Sequence, residues 1–297
     1  MKDFPSCFGE NGVQVSDSSS SSSTNKSAAQ NLVTFIYRYQ SQSFSGFITV
    51  TWIKYLMGQG LSIEIENSTK ESLCKFDVKA WLFSKRKGFK NLVVKSTTID
   101  IHWDLSSAKF GPGPEPLEGF YLAIALNQES SLFLGDLENE FYKKMDLSSI
   151  PFVSRAILVA KRENIFGKRF YSSKAQFCDM GKLHDIRIEC DKSLVIYIDN
   201  KMVLQVMNLK WNFRGNQIIL VDGISIELYW DVYSWLFGSF TDNAIFLFRS
   251  RVPGAKAWAN RSPADASALS WPVLQGSKDS YSQAHGFSLV LCAWKNE

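Results

Sequence analysis

Histidine is scarce in this chain, with 3 residues among 297. They are His102, His184 and His285, so any Ser-His-Asp or Cys-His device would have to use one of them. The five cysteines, Cys7, Cys74, Cys178, Cys190 and Cys292, are scattered, odd in number and never spaced CxxC. That pattern argues for buried thiols in a reducing compartment, against a disulfide framework and against a zinc site. No GxSxG, HExxH, GxxxxGKS/T or GxGxxG occurs. No apolar run approaches the roughly 20 residues that cross a bilayer. The first residues, MKDFPSCFGE, lack the apolar centre of a secretory signal. An excess of one charge is missing too: the net charge of +4 is too mild to argue for nucleic acid. The expectation is an intracellular protein, in cytoplasm and/or nucleus, with no transmembrane segment, no cofactor and no metal.

Aromatic residues are plentiful: Phe 22, Tyr 10 and Trp 9. These side chains favour pleated, half-buried surfaces. The hydrophobic pattern has period two. In Leu61–Glu66, Leu61, Ile63 and Ile65 fall on one face and Ser62, Glu64 and Glu66 on the other. Phe47–Trp52 and Leu194–Asp199 read the same way, and Asp199-Asn200 supplies a tight turn into a returning strand, Met202–Val206.

The phrase IDIHWDL (Ile99–Leu105) returns as IELYWDV (Ile226–Val232), 127 positions later. In each, apolar residues alternate with polar ones, which predicts a core face and a wet face. Leu61-x-Ile63-x-Ile65 matches Leu194-x-Ile196-x-Ile198 at an offset of 133, and Trp81-x-Phe83 matches Trp211-x-Phe213 at 130. Offsets that shrink between strands are what loop deletions in a duplicated β-unit would produce. The fold expected is therefore all-β: an antiparallel β-sandwich built from two similar, duplicated β-units with one short connecting helix. Its expected parts are a disordered Ser-rich segment (1–30), a first β-unit (31–136), a helical connector (137–150), a second β-unit (151–252), a long surface loop (253–285) and a final strand (286–297). The connector carries acids early and lysines late, as a helix dipole prefers. Within the second unit, Phe152–Lys161 and Phe170–Phe177 read as a hairpin, and Gly111–Pro116 reads as a stiff extended connector.

Chemistry is thinner. Asp100, His102 and Asp104 share one strand face and suit a metal, but no second cluster completes a shell. Asp104 and Asp231 stand on matching strands and are the pair a glycoside hydrolase would need; Asp at a strand end is more simply a turn residue. Lys85, Arg86 and Lys87 head the densest basic run, read as a hairpin tip with Gly88 in the turn, and are the candidates for an anionic surface. Arg214, read beside a Gly-Asn turn, offers a guanidinium to a carboxylate or phosphate, an internal salt bridge being the plainer role. Trp103 and Trp230 should be core, whereas Trp235, Trp258 and Trp271 are candidates for exposed, sugar-stacking platforms.

Several longer phrases carry a family resemblance: DFPSCFGENGVQV at the start, Ile99–Ile124, HDIRIEC (His184–Cys190), Leu209–Gly223, Ile226–Phe237, Ala244–Arg251 and the terminal GFSLVLCAWK. Through them the chain resembles the plant-specific Domain of Unknown Function 868 family over nearly its whole length. The resemblance implies a plant protein, intracellular, and brings no catalytic residues with it. The leading expectation is a non-catalytic binding or interaction module with a protein partner. Its alternatives are a carbohydrate-binding or glycoside-acting protein and a binder of anionic surfaces.

Overall fold

Nineteen strands and two short helices are formed by the residues that this computed structural model describes, which are 31–56, 58–78, 86–145, 155–178, 181–238, 242–250 and 286–295. The serine tract, Trp81, Lys85, Trp258, Trp271 and the predicted loop over 253–285 lie outside the described residues.

The first half runs β1 (Asn31–Gln40), β2 (Ser45–Tyr55), β3 (Gly58–Asn67), β4 (Ser72–Val78), β5 (Lys87–Val94), β6 (Thr97–Asp104), β7 (Lys109–Phe110), β8 (Pro116–Glu118), β9 (Tyr121–Leu126) and β10 (Glu129–Gly135), and closes with α1 (Glu138–Met145). The second runs β11 (Ile157–Gly167), β12 (Phe170–Gln176), β13 (Leu183–Cys190), β14 (Leu194–Ile198), β15 (Lys201–Val206), β16 (Arg214–Val221), β17 (Ile224–Asp231), α2 (Tyr233–Phe237), β18 (Asn243–Ser250) and β19 (Ser288–Lys295).

Among the described residues, nine of these strands form one sheet in the order β16-β17-β18-β19-β11-β1-β2-β3-β4, and two four-stranded sheets, β10-β9-β6-β5 and β12-β13-β14-β15, accompany it. The protein is all-β and almost wholly antiparallel; the β11–β19 pair is parallel. Register shows which face is covered. Phe35 of β1 lies opposite Lys161 of β11, and Lys161 lies opposite Leu289 of β19, so the three point the same way. On that face Ile48, Val50, Ile63 and Ile65 pack against Ile99, Ile101, Trp103 and Leu122 of one small sheet. Further along, Phe246, Phe248, Leu289 and Leu291 pack against Ile186, Ile188, Ile196 and Ile198 of the other. Two cores thus sit side by side under one continuous sheet.

Where the cores meet, the interior turns ionic. Lys161 and Glu163, both inward-facing on β11, form a buried ion pair at 2.6 Å. The Lys161 ammonium also donates to the Lys174 carbonyl at 3.1 Å, and Ser173 donates to the second Glu163 oxygen. Burial pushes the Glu115 carboxyl up; Lys161 opposes that and Glu163 adds to it. A buried pair of this kind adds little net stability, because the desolvation cost offsets the Coulombic gain.

Two hairpins repeat in detail. Lys87 pairs with Asp104 and Gly88 with Trp103 in β5–β6; Arg214 pairs with Asp231 and Gly215 with Trp230 in β16–β17. Each tryptophan lies flat over its glycine: a Cβ on Gly88 would stand 2.5 Å from Trp103 Cζ2, and one on Gly215 would stand 2.3 Å from Trp230 Cζ2. The ladder is then extended in the same way, Leu105 N donating to Arg86 O at 2.7 Å and Val232 N to Phe213 O at 2.9 Å. Two expectations are corrected here. Gly88 and Gly215 sit within strands, where any side chain would collide with an indole, rather than in turns.

Two more corrections concern connections. β11 and β12 are not a hairpin: β11 pairs with β1 and β19, whereas β12 pairs with β13 in another sheet. The chain passes from one sheet to the other at Lys168-Arg169. Gly111–Pro116 is not extended either; it folds back between β7 and β8, closed by a Lys109–Glu118 ion pair at 2.7 Å. The Asp199-Asn200 turn forms as read, with φ of 49° and 65°.

Candidate functional site

Among the described residues, a pocket lies on the outer face of the first small sheet, which the sequence predicted to be wet. Period two turns Ile99, Ile101 and Trp103 inward, so His102 and Asp104 point out, with Tyr121 and Ala123 beside them on β9. The helix α1 lies across this face. Its Phe141 is buried against Tyr121 and Ala123, with ring centroids 5.5 Å from Tyr121 and 5.7 Å from both His102 and Phe133. The acids of its first turn and lysines of its last complement the helix dipole and bring Lys144 back over the sheet.

Between helix and sheet edge a pocket of about 320 Å³ remains, at the small end of ligand-sized cavities. Phe89, His102, Tyr121 and Phe141 form its walls, and Trp103 is reached beneath the bare backbone of Gly88. Phe89 and His102 face each other at 4.3 Å and 31°. Burial pushes the His102 imidazole below its ordinary value, Asp100 pulling the other way, so the ring is neutral at pH 7. Lys87 and Lys144 stand at the rim. Lys144 donates to Asp104 Oδ2 at 2.8 Å and to the Tyr121 hydroxyl at 3.3 Å. Burial pushes the Asp104 carboxyl up, but hydrogen bonds from Lys144 and Ser106 outweigh it and leave the group below its usual range. Lys87 is exposed, and among the described residues no hydrogen bond or ion pair is made by its ammonium.

The structure does not bring Asp104 and Asp231 together. They belong to different sheets over different cores, and each is spoken for locally. Asp104 Oδ1 accepts from Ser106 N at 3.0 Å, and Asp231 Oδ1 accepts from Tyr233 N at 2.9 Å. Asp231 Oδ2 accepts from Arg214 Nε at 2.8 Å, so Arg214 makes an internal salt bridge, with its guanidinium also over the Phe213 and Tyr233 rings. Trp235 is corrected: it is no exposed platform but buried at 5% exposure, donating to the Tyr171 hydroxyl at 2.9 Å. The short helix α2 turns it into the second core, a placement that irregular local sequence did not reveal. Arg86 and Lys87 are exposed as expected.

His184, the other described histidine, is buried and held between two carboxylates, Nδ1 2.9 Å from Asp199 and Nε2 3.5 Å from Asp222. It ties two hairpin tips together. No group of three or more potential metal ligands occurs among the described residues. Of the described cysteines, Cys74 and Cys190 are buried and Cys178 is exposed; burial holds the Cys190 thiol up at about 12.

Sequence reasoning missed Tyr121, Phe141 and Lys144. One signal was present: Phe141 and Lys144 stand three apart on a helix and so share a face. No helix among the described residues is long and apolar enough to cross a membrane. No match is found among curated proteins or among solved structures. Residues 28–295 match the family described as plant protein of unknown function, DUF868, and the chain belongs to that family.

Proposed function

We propose that this protein is a non-catalytic binding module and that the pocket beneath α1 is its ligand site. One observation carries the reading: the outer face of a sheet is roofed by a helix that leaves an aromatic-walled cavity open at the edge strand β5. Apolar walls with a few polar groups at the rim are the usual make-up of small-molecule sites. The local engagement of Asp104, Asp231 and His184 favours binding over catalysis, since each is held by structural neighbours. The matched hairpins also support a duplicated β-unit as the origin of the architecture.

The test is ligand-observed NMR with a panel of small aromatic fragments on the full chain. Several should bind with Kd of about 0.1–1 mM, and Phe89→Ser, a change at an exposed wall residue, should weaken them at least about tenfold. Fragments that bind equally well to the variant, or none that bind at all, would defeat the reading.

A second reading concerns the protein partner expected from the sequence. Trp211 is 86% exposed, and Tyr233 and Phe237 are also exposed near Arg214. Aromatic side chains with arginine are the usual anchors of protein interfaces. Loss of partner capture in Trp211→Ala, with pocket ligands still bound, would favour it.

A further inference from the structure

We infer that the pocket beneath α1 takes a small planar aromatic molecule bearing one anionic group, with Lys87 as its counter-ion. The inference rests on the reading of this pocket as the ligand site and adds the chemistry of its occupant.

The walls supply the first half of the argument. Phe89 and His102 lie close, their ring planes tilted by 31°, and Tyr121 and Phe141 add further tilted rings to the lining. Rings in offset-stacked and edge-on arrangements receive a flat aromatic body better than a branched aliphatic one. Burial of His102 disfavours its charged form at this wall.

The rim supplies the second half. In β16–β17, the strand cation Arg214 closes on its cross-strand aspartate, Asp231. In β5–β6 the same position is held by Lys87, opposite Asp104, yet Asp104 is taken by Lys144 from the helix. The helix therefore displaces the strand's own cation from its aspartate. Lys144 and Asp104 offset each other, so among the described residues the Lys87 ammonium is left at the rim without a paired carboxylate. An ammonium beside a partly dry aromatic wall attracts an anion more strongly than one in open water. A carboxylate, sulfonate or phosphate attached to the ring would meet it.

Calorimetry on the full chain at low salt tests this with two probes of one shape, 1-naphthoate and the neutral 1-naphthamide. Naphthoate should bind about tenfold more tightly, the equivalent of one good charge contact. Lys87→Met should lower naphthoate to the level of naphthamide and leave naphthamide unchanged; Lys87→Arg should keep the preference. Both substitutions lie at an exposed position, so the fold is retained. Equal binding of the two probes, both weakened by Phe89→Ser, overturns the anionic ligand but leaves the pocket standing. A naphthoate preference that survives Lys87→Met overturns the role of Lys87. Failure of both probes to bind overturns the inference together with the pocket.

Discussion

In the hairpin β5–β6 Lys87 stands opposite Asp104, and in β16–β17 Arg214 stands opposite Asp231, yet only Arg214 closes the bond. Everything beneath is alike: the glycine, the tryptophan laid across it, the aspartate holding an amide two residues on. The difference comes from outside the hairpin. After β10 the first half continues into α1, which settles on the outer face and offers Lys144 to Asp104. Two hairpins alike in register can thus differ in their ion pairing, because a neighbouring element engages the aspartate of one of them.

The turns differ in a second way. In the first half, the side chain of the neutral Asn67 organises the β3–β4 turn, accepting from Thr69 N at 3.1 Å and Glu71 N at 2.9 Å. In the second, the charged Asp199 gathers the Asp185 amide, His184 and Lys182, and these bonds pull its carboxyl down to about 2. The β14–β15 turn therefore carries an acid-sensitive tie at the position where the β3–β4 turn uses a neutral amide.

The likeness beneath the hairpins is the easiest to break. Trp103→Ala and Trp230→Ala should each cost about 3–5 kcal/mol, as truncation of a buried indole does, and the two losses should agree within about 1 kcal/mol in urea unfolding. A large inequality would mean that the two glycine–tryptophan stacks are alike in shape only.

A smaller effect sharpens the contrast in ion pairing. Arg214→Met should cost about 0.5–1 kcal/mol, since its pair is half exposed and the stack over Phe213 and Tyr233 goes with it. Lys144→Met should cost less, because Lys87 stands opposite Asp104 and inherits it. Equal losses, or a greater one for Lys144→Met, would contradict the release of Lys87.

The smallest effect is set by pH. The folded pKa of Asp199 lies below its unfolded value of about 3.9, so its contribution is present above pH 4 and is lost as the pH falls from about 4 towards 2. Asp199→Asn keeps the turn, because Asn tolerates positive φ. The variant should therefore show a shallower drop in melting temperature between pH 4 and 2 than the parent chain; identical slopes would remove Asp199 from the account.

Much of the fold was legible. Alternation in Ile99–Asp104 and Ile226–Asp231 located two core strands, because a strand with one buried face writes that face at every second residue. Asp199-Asn200 marked its own turn, and the charge gradient of Glu138–Lys144 marked its helix. The site was less legible. His102 was read on a wet face, and nothing within its strand says that Phe141, 39 positions on, comes to rest against it. Trp235 looked free because its short helix has no period to read.

The amino-acid sequence by itself determined the strand class, the Asp199-Asn200 turn and which face of the strands is apolar, since these follow from side-chain size, backbone preference and spacing along a few residues. The tertiary structure alone decided that β11 joins the halves into one sheet, that Gly88 and Gly215 are room for an indole, and that Lys144 pairs with Asp104. Those outcomes depend on contacts between residues far apart in the chain, and such contacts compete by geometry and charge only once the sheets have packed.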